Sequence, residues 1–160
     1  MNGKINKTCC FTGHRKIPPS EVGTITQRLK IVIEDLINDG YLYFGTGGAL
    51  GFDTIAAQTV LSLKKRFPDI KLILVLPCRY QTKGWKTTDI VIYEAIRFSA
   101  DKIVYTSNQY TKRCMYIRNE HLVNNSSVCI CYKTKSKGGT AFTVNYAKEK
   151  GLQIINVANP

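Results

Sequence analysis

Apolar residues fall along this chain in two kinds of run that alternate from end to end. Short, dense runs at 7–12, 41–45, 71–76, 102–106, 128–132 and 152–157 are bounded by glycine, proline or polar residues. Buried strands read this way, and the unbroken apolar stretch 72–76 suits a central parallel strand covered on both faces. Between these runs the apolar residues recur every three or four positions, as in Ile25, Leu29, Val32, Ile33, Leu36 and Ile37, then Phe52, Ile55, Ala56, Val60 and Leu63. That is the period of an amphipathic helix, and further helices are predicted at 89–99, 113–124 and 140–150. Pro18-Pro19-Ser20 punctuates the start of the first helix, while Gly40 and Gly151 close the first and the last. Ile90-Val91-Ile92-Tyr93 alone would pass for a strand, but the longer stretch favours a helix. Residues 79–88, polar with two aromatics, predict an excursion over the strand ends. Strict alternation of strand and helix predicts an α/β domain over 1–160, an open, mostly parallel sheet with helices on both faces. Ligands of such sheets bind outside the carboxyl ends of the strands, so the strand-to-helix loops are where chemistry is expected.

Composition narrows the classes. A chain of 160 residues with 44% apolar content can bury a real core and is no disordered tail. No apolar run is long enough to span a bilayer, and Met1-Asn2-Gly3-Lys4 lacks the apolar core of a secretory signal. Lysine and arginine number 23 against 11 acidic residues, a net charge of +12. This favours anionic partners such as nucleotides, nucleic acid or an acidic protein. Of Cys9, Cys10, Cys78, Cys114, Cys129 and Cys131, none forms a C-x-x-C pair. Cys129 and Cys131 alternate onto one strand face, a poor geometry for a mutual disulfide. Buried, reduced thiols and a cytoplasmic location are therefore expected. No metal site is expected, because His14 and His121 have no ligand spacing to these cysteines.

Three loops carry glycine at the entry to a helix. In the first, Thr12 offers a hydroxyl, Gly13 a closely approachable backbone and Arg15 a planar fork suited to phosphate. His14 is a phosphate donor, a base, or simply a partner for the loop backbone. The second runs from Tyr43 through Thr46-Gly47-Gly48-Ala49-Leu50-Gly51 to Asp53 and predicts a phosphate-binding turn ahead of a helix N-terminus. Asp53 would cap that helix, orient Arg15 or Arg118, or accept from a ribose hydroxyl. In the third, Lys133, Lys135 and Lys137 lead into Gly138-Gly139-Thr140, adding positive potential to a helix start. Arg118-Asn119 lies on the helix between strands four and five. Tyr80 and Trp85 either stack on a base or, in the case of Trp85, anchor their own loop.

Taken in order, Thr12-Gly13-His14-Arg15, Gly48-Ala49-Leu50-Gly51-Phe52-Asp53, Arg118-Asn119 and Gly138-Gly139-Thr140 resemble the YpsA-like branch of the SLOG superfamily. That superfamily also holds the DNA-processing protein DprA and the Lonely Guy cytokinin-activating enzymes. The resemblance covers nearly the whole chain and implies a Rossmann-like fold with a nucleotide-derived ligand at the strand ends. The Lonely Guy motif Pro-Gly-Gly-x-Gly-Thr-x-x-Glu supplies a catalytic glutamate, and Thr143 occupies that position here. A hydroxyl cannot replace a carboxylate as general base. Met115-Tyr116-Ile117-Arg118-Asn119 keeps the arginine of the Met-x-x-Arg-Lys setting but not the lysine. The expectation is a sensor or regulatory module binding a small phosphorylated nucleoside, nucleotide-sugar or ADP-ribose-like ligand. Alternatives are an N-glycoside hydrolase using Asp53 or Glu120, and single-stranded nucleic-acid binding of the DprA type. The resemblance also implies a homodimer.

Overall fold

The computed structural model describes residues 2–158. Six parallel strands form one sheet in the order β4-β3-β2-β1-β5-β6. They are β1 (Thr8–Gly13), β2 (Tyr43–Thr46), β3 (Lys71–Leu76), β4 (Lys102–Tyr105), β5 (Val128–Tyr132) and β6 (Gln153–Asn156). The helices are α1 (Asn2–Ile5), α2 (Val22–Asn38), α3 (Phe52–Lys64), α4 (Thr87–Ser99), α5 (Cys114–Asn124) and α6 (Gly139–Glu149). The one-turn helix α1 carries no apolar period and left no sequence signal. Helix α2 begins three residues before its first apolar marker, Ile25, directly after a 3-10 turn at Pro19–Glu21. Strand β2 begins two residues later than expected, because Leu42 and Tyr43 both donate backbone N–H bonds to the Lys7 carbonyl. Residues 90–93 are helical, and burial of Tyr93 and Ile96 beside exposed Val91 follows a helix period.

Alternation along the strands sorts the core into two layers. Cys9 and Phe11 of β1 pack with Leu29 and Ile33 of α2 and Phe52 and Val60 of α3. Cys10 packs on the other face with Cys129 and Cys131 of β5, Val123 of α5 and Val144 of α6. Helices α2, α3 and α4 therefore cover one face, and α5 and α6 the other. A fully buried Leu or Ile contributes about 1.5–3 kcal/mol, so these layers fix the sheet on both sides. All six cysteines are buried and unbridged.

Strand β1 lies between β2 and β5, pairing in parallel with both. Successive crossovers run outward from β1 to β4 on one side and return to β5 on the other. The order reverses there. A doubly wound sheet opens its crevice at that place, above the carboxyl ends of β1 and β5.

Candidate functional site

A cavity of about 250 Å³ opens at the loops that follow β1 and β5. The first loop brings Thr12, Gly13, His14 and Arg15 to its wall. Helix α5 brings Met115, Arg118 and Asn119, and the last loop brings Lys137, Gly138, Gly139 and Thr140. Ala49 and Asp53 close the floor on the α3 side. A groove of about 310 Å³ elsewhere, lined by Ile73, Val75, Val104 and Leu122, lies on the sheet face beside α1 and away from these loops.

Gly138 is the N-cap of α6 and adopts φ +105°, a conformation open to glycine and costly to other residues. The first helical bond runs from the Phe142 N–H to the Gly138 carbonyl, 3.0 Å. The N–H groups of Gly139, Thr140 and Ala141 have no acceptor within the helix, the usual condition of a first turn. Apart from the adjoining residues and the backbone of α6 itself, no described atom lies within 4 Å of the place a Cβ would take on Gly138 or Gly139. This helix end faces open space, with its partial positive charge directed at the cavity.

The loop ahead of α6 is fastened from two sides. Thr134 donates its backbone N–H to Nε2 of His14 at 2.9 Å. Asn156 grips Lys133 through two hydrogen bonds of 2.9 and 3.1 Å. His14 therefore holds the loop backbone. Burial, followed by the charges of Lys135 and Lys133, depresses its pKa and favours the neutral ring that can accept this bond.

Helix α3 presents the same ingredients in a different state. The Phe52 N–H at its first turn is donated to the His14 carbonyl at 3.1 Å. Gly51 has φ +78°, and a Cβ there would collide with the backbone carbonyl of Arg15. The Gly47 carbonyl accepts from Arg118, whose guanidinium fills the space beside that glycine. Gly48 is packed toward Leu76, Gln81 and Tyr93. Thr46 is fully buried under this loop. Of the predicted second loop, Ala49 and Asp53 reach the cavity, whereas Thr46, Gly47, Gly48 and Gly51 do not line it.

Arg118 is only 4% exposed, and three interactions hold it. Besides Gly47, it donates to Asn119 Oδ1 at 2.6 Å and to Met115 Sδ at 3.6 Å. Burial lowers its pKa, and the nearby Asp53 charge works the other way. Asp53 is 6% exposed and accepts the Ala49 N–H at 3.1 Å. It lies on the first turn of α3, where a carboxylate suits the helix dipole. Burial raises its pKa, against the opposing pull of Arg118, the Ala49 N–H and Arg15. The Thr46 hydroxyl meets no partner in good hydrogen-bond geometry among the described residues, yet its proximity favours the ionised form of Asp53. The cavity thus combines two guanidinium groups, one ammonium and an open helix N-terminus with a single, reluctantly ionised carboxyl. Such a set attracts a compact anion.

Glu120 is half-buried on α5 and does not line this cavity. Thr143 is buried, and its hydroxyl donates to the Gly139 carbonyl at 2.9 Å. Trp85 stands edge-on to Tyr93 with ring centres 5.4 Å apart, the packing of a loop anchor. Tyr80 is 69% exposed in a neighbouring cleft. Sequence reasoning left three lining residues, Ala49, Met115 and Lys137, out of the site. Lys137 had a signal, since it directly precedes the helix-capping glycine; Met115 had none beyond its motif, because a thioether carries no charge to notice.

The family model YpsA, the YspA SLOG family, matches residues 10–156. The chain belongs to this family. Among curated relatives, the SPbeta prophage-derived protein YoqJ of Bacillus subtilis is 33% identical over 141 residues, 80% of this chain and 82% of its own. A UPF0398 protein of Bacillus thuringiensis is 27% identical over 133 residues, 81% of this chain and 72% of its own. Among solved structures, DNA processing protein A from Streptococcus pneumoniae superposes with a TM-score of 0.67 at 16% identity, over 93% of this chain and 49% of that one. The same protein from Helicobacter pylori, characterised for its single-stranded DNA binding mode, gives 0.65 at 19% identity, over 92% and 63%. The SLOG chain thus spans half to under two thirds of these longer proteins and shares their Rossmann-like fold. No helix among the described residues is long and apolar enough to cross a membrane.

Proposed function

We propose that this SLOG domain binds the phosphate of a small phosphorylated nucleoside or nucleotide-sugar between α6 and α5, as a sensor or regulatory module. One observation carries the reading: the open first turn of α6 shares a cavity with Arg15, Arg118 and Lys137. Backbone N–H groups would hold the phosphoryl oxygens, the arginines would neutralise their charge, and Thr12 and Thr140 would add hydroxyls. Binding without hydrolysis is preferred because Thr143 spends its hydroxyl inside the helix and offers no carboxylate. Titration calorimetry with nucleoside monophosphates and ribose 5-phosphate tests this. Binding that is lost in Arg118→Ala is expected, and heatless titrations with folded protein would retire the proposal. Release of free base that disappears in Asp53→Asn would instead favour the hydrolase reading.

A second reading has its own support. Arg79, Lys83 and the exposed Tyr80 and Tyr110 adjoin the cavity, a mixture of cations and rings suited to a single strand. The Helicobacter pylori neighbour is a single-stranded DNA binder. This reading predicts oligonucleotide affinity that falls steeply with salt.

A further inference from the structure

At about 250 Å³ the phosphate cavity falls below the ~300–1,000 Å³ usual for ligand pockets, so the rest of a nucleotide needs space elsewhere. Resting on the phosphate reading above, we propose that the adjoining cleft is a nucleobase subsite, in which Gln81 accepts an N–H from the base edge.

The cleft encloses about 890 Å³ and shares Arg15 and Met115 with the phosphate cavity. Met115 Sδ receives N–H contacts from Arg15 at 3.9 Å and from Arg118 at 3.6 Å. One thioether, held from both sides, is thus common to both walls. A ligand passing it keeps its phosphate at α6 and its base in the cleft. Tyr80 and Tyr110 are 69% and 66% exposed there and have ring surface to stack on a base.

Gln81 supplies the independent sign of a ligand. It lines the cleft and is only 6% exposed. Its Nε2 donates to the Gly48 carbonyl at 3.3 Å and to the Tyr93 hydroxyl at 3.5 Å, committing both amide hydrogens. Reversing the amide would set oxygen against the Gly48 carbonyl, so its orientation is fixed. Oε1 has no hydrogen-bond partner among the described residues. Folded proteins seldom leave a buried acceptor so. Gln81 sits in the turn that forms the cleft wall, closed by the bonds from Lys83 to Tyr80 and from Trp85 to Thr82. Only an acceptor remains to be used, so the ligand must bring a donor. The class is a nucleoside 5′-phosphate whose base presents an N–H on its pairing edge.

Calorimetry on the full chain with AMP, purine riboside 5′-monophosphate and ribose 5-phosphate tests this. Purine riboside keeps the ring system but carries no N–H on it. AMP should bind about tenfold more tightly than purine riboside 5′-monophosphate, the effect of one buried acceptor satisfied or left empty. Gln81→Leu should bring AMP down to the purine riboside level. Tyr110→Ala, at an exposed position that spares the fold, should weaken both nucleotides about tenfold and leave ribose 5-phosphate unchanged. Equal affinities for AMP and purine riboside 5′-monophosphate in the unaltered chain would overturn the Gln81 assignment. Nucleotides no tighter than ribose 5-phosphate would overturn the base subsite while the phosphate site stands. Should none of the three bind, both readings fall.

Discussion

Two helices in this fold begin after a glycine with positive φ, and they have opposite fates. At α3 the space in front of the first turn is filled by protein: the His14 carbonyl takes the Phe52 N–H, and the Arg15 carbonyl presses against Gly51. At α6 the corresponding space is empty around Gly138 and Gly139 and faces three basic side chains. A glycine-led helix start is therefore two different devices. One lets backbone pack on backbone, and the other leaves N–H groups for something outside the chain. The first loop links them, since His14 caps α3 through its carbonyl and fastens the α6 loop through its ring.

The sharpest way to break this contrast is to add one methyl group at each end. Gly51→Ala should cost about 3 kcal/mol or more, from the positive φ and the Arg15 carbonyl together, read by chemical denaturation. Gly139→Ala should change stability by less than about 0.5 kcal/mol, because nothing stands in its way. Comparable costs would erase the distinction. Next in size, Arg118→Ala should weaken ribose 5-phosphate binding about 100-fold, since it removes a buried cation and unseats the Gly47 carbonyl. Lys137→Ala should weaken it about fivefold, with a shallower salt dependence and unchanged denaturation midpoint, as fits a cation at the cavity mouth.

Two pH effects are smaller and carry opposite signs. Asp53 titrates above its ordinary 3.8 in the folded chain, mainly through burial. The stability it contributes is whole below that ordinary value and is lost as pH rises through the folded-state pKa. Asp53→Asn, which cannot ionise, should therefore gain on the unaltered chain between pH 3 and pH 7. His14 titrates below its ordinary 6.5, so its contribution is present above that value and fades as pH falls. Protonation removes the acceptor for the Thr134 N–H, and a fall in the hydrogen-exchange protection factor of Thr134 on acidification, relative to the intrinsic rate at each pH, is the expected sign.

Where burial decided structure, the sequence was readable. Strands β3 and β5, covered on both faces, have the bounds that their apolar runs predict. Strand β2 starts two residues into its apolar run, because the pairing of Leu42 and Tyr43 with Lys7 depends on a partner distant in sequence. The site was half legible for the same reason. Thr12, Arg15 and the Gly138-Gly139-Thr140 turn line one cavity as their loop positions imply, and α5 adds Arg118 and Asn119. Gly47, Gly48 and Gly51 look like phosphate-binding glycines in one dimension. Only the fold shows Arg118, Leu76 and the Arg15 carbonyl occupying the room beside them. Gln81 had no signal at all, since an unpartnered oxygen is a property of packing.

A crystal structure of the chain with ribose 5-phosphate tests the central claim most directly. The account predicts phosphoryl oxygens at about 2.7–3.2 Å from the N–H groups of Gly139 and Thr140, with Arg118 on the opposite side. A phosphate lodged instead at the α3 loop, or a protein group capping the first turn of α6, would contradict it.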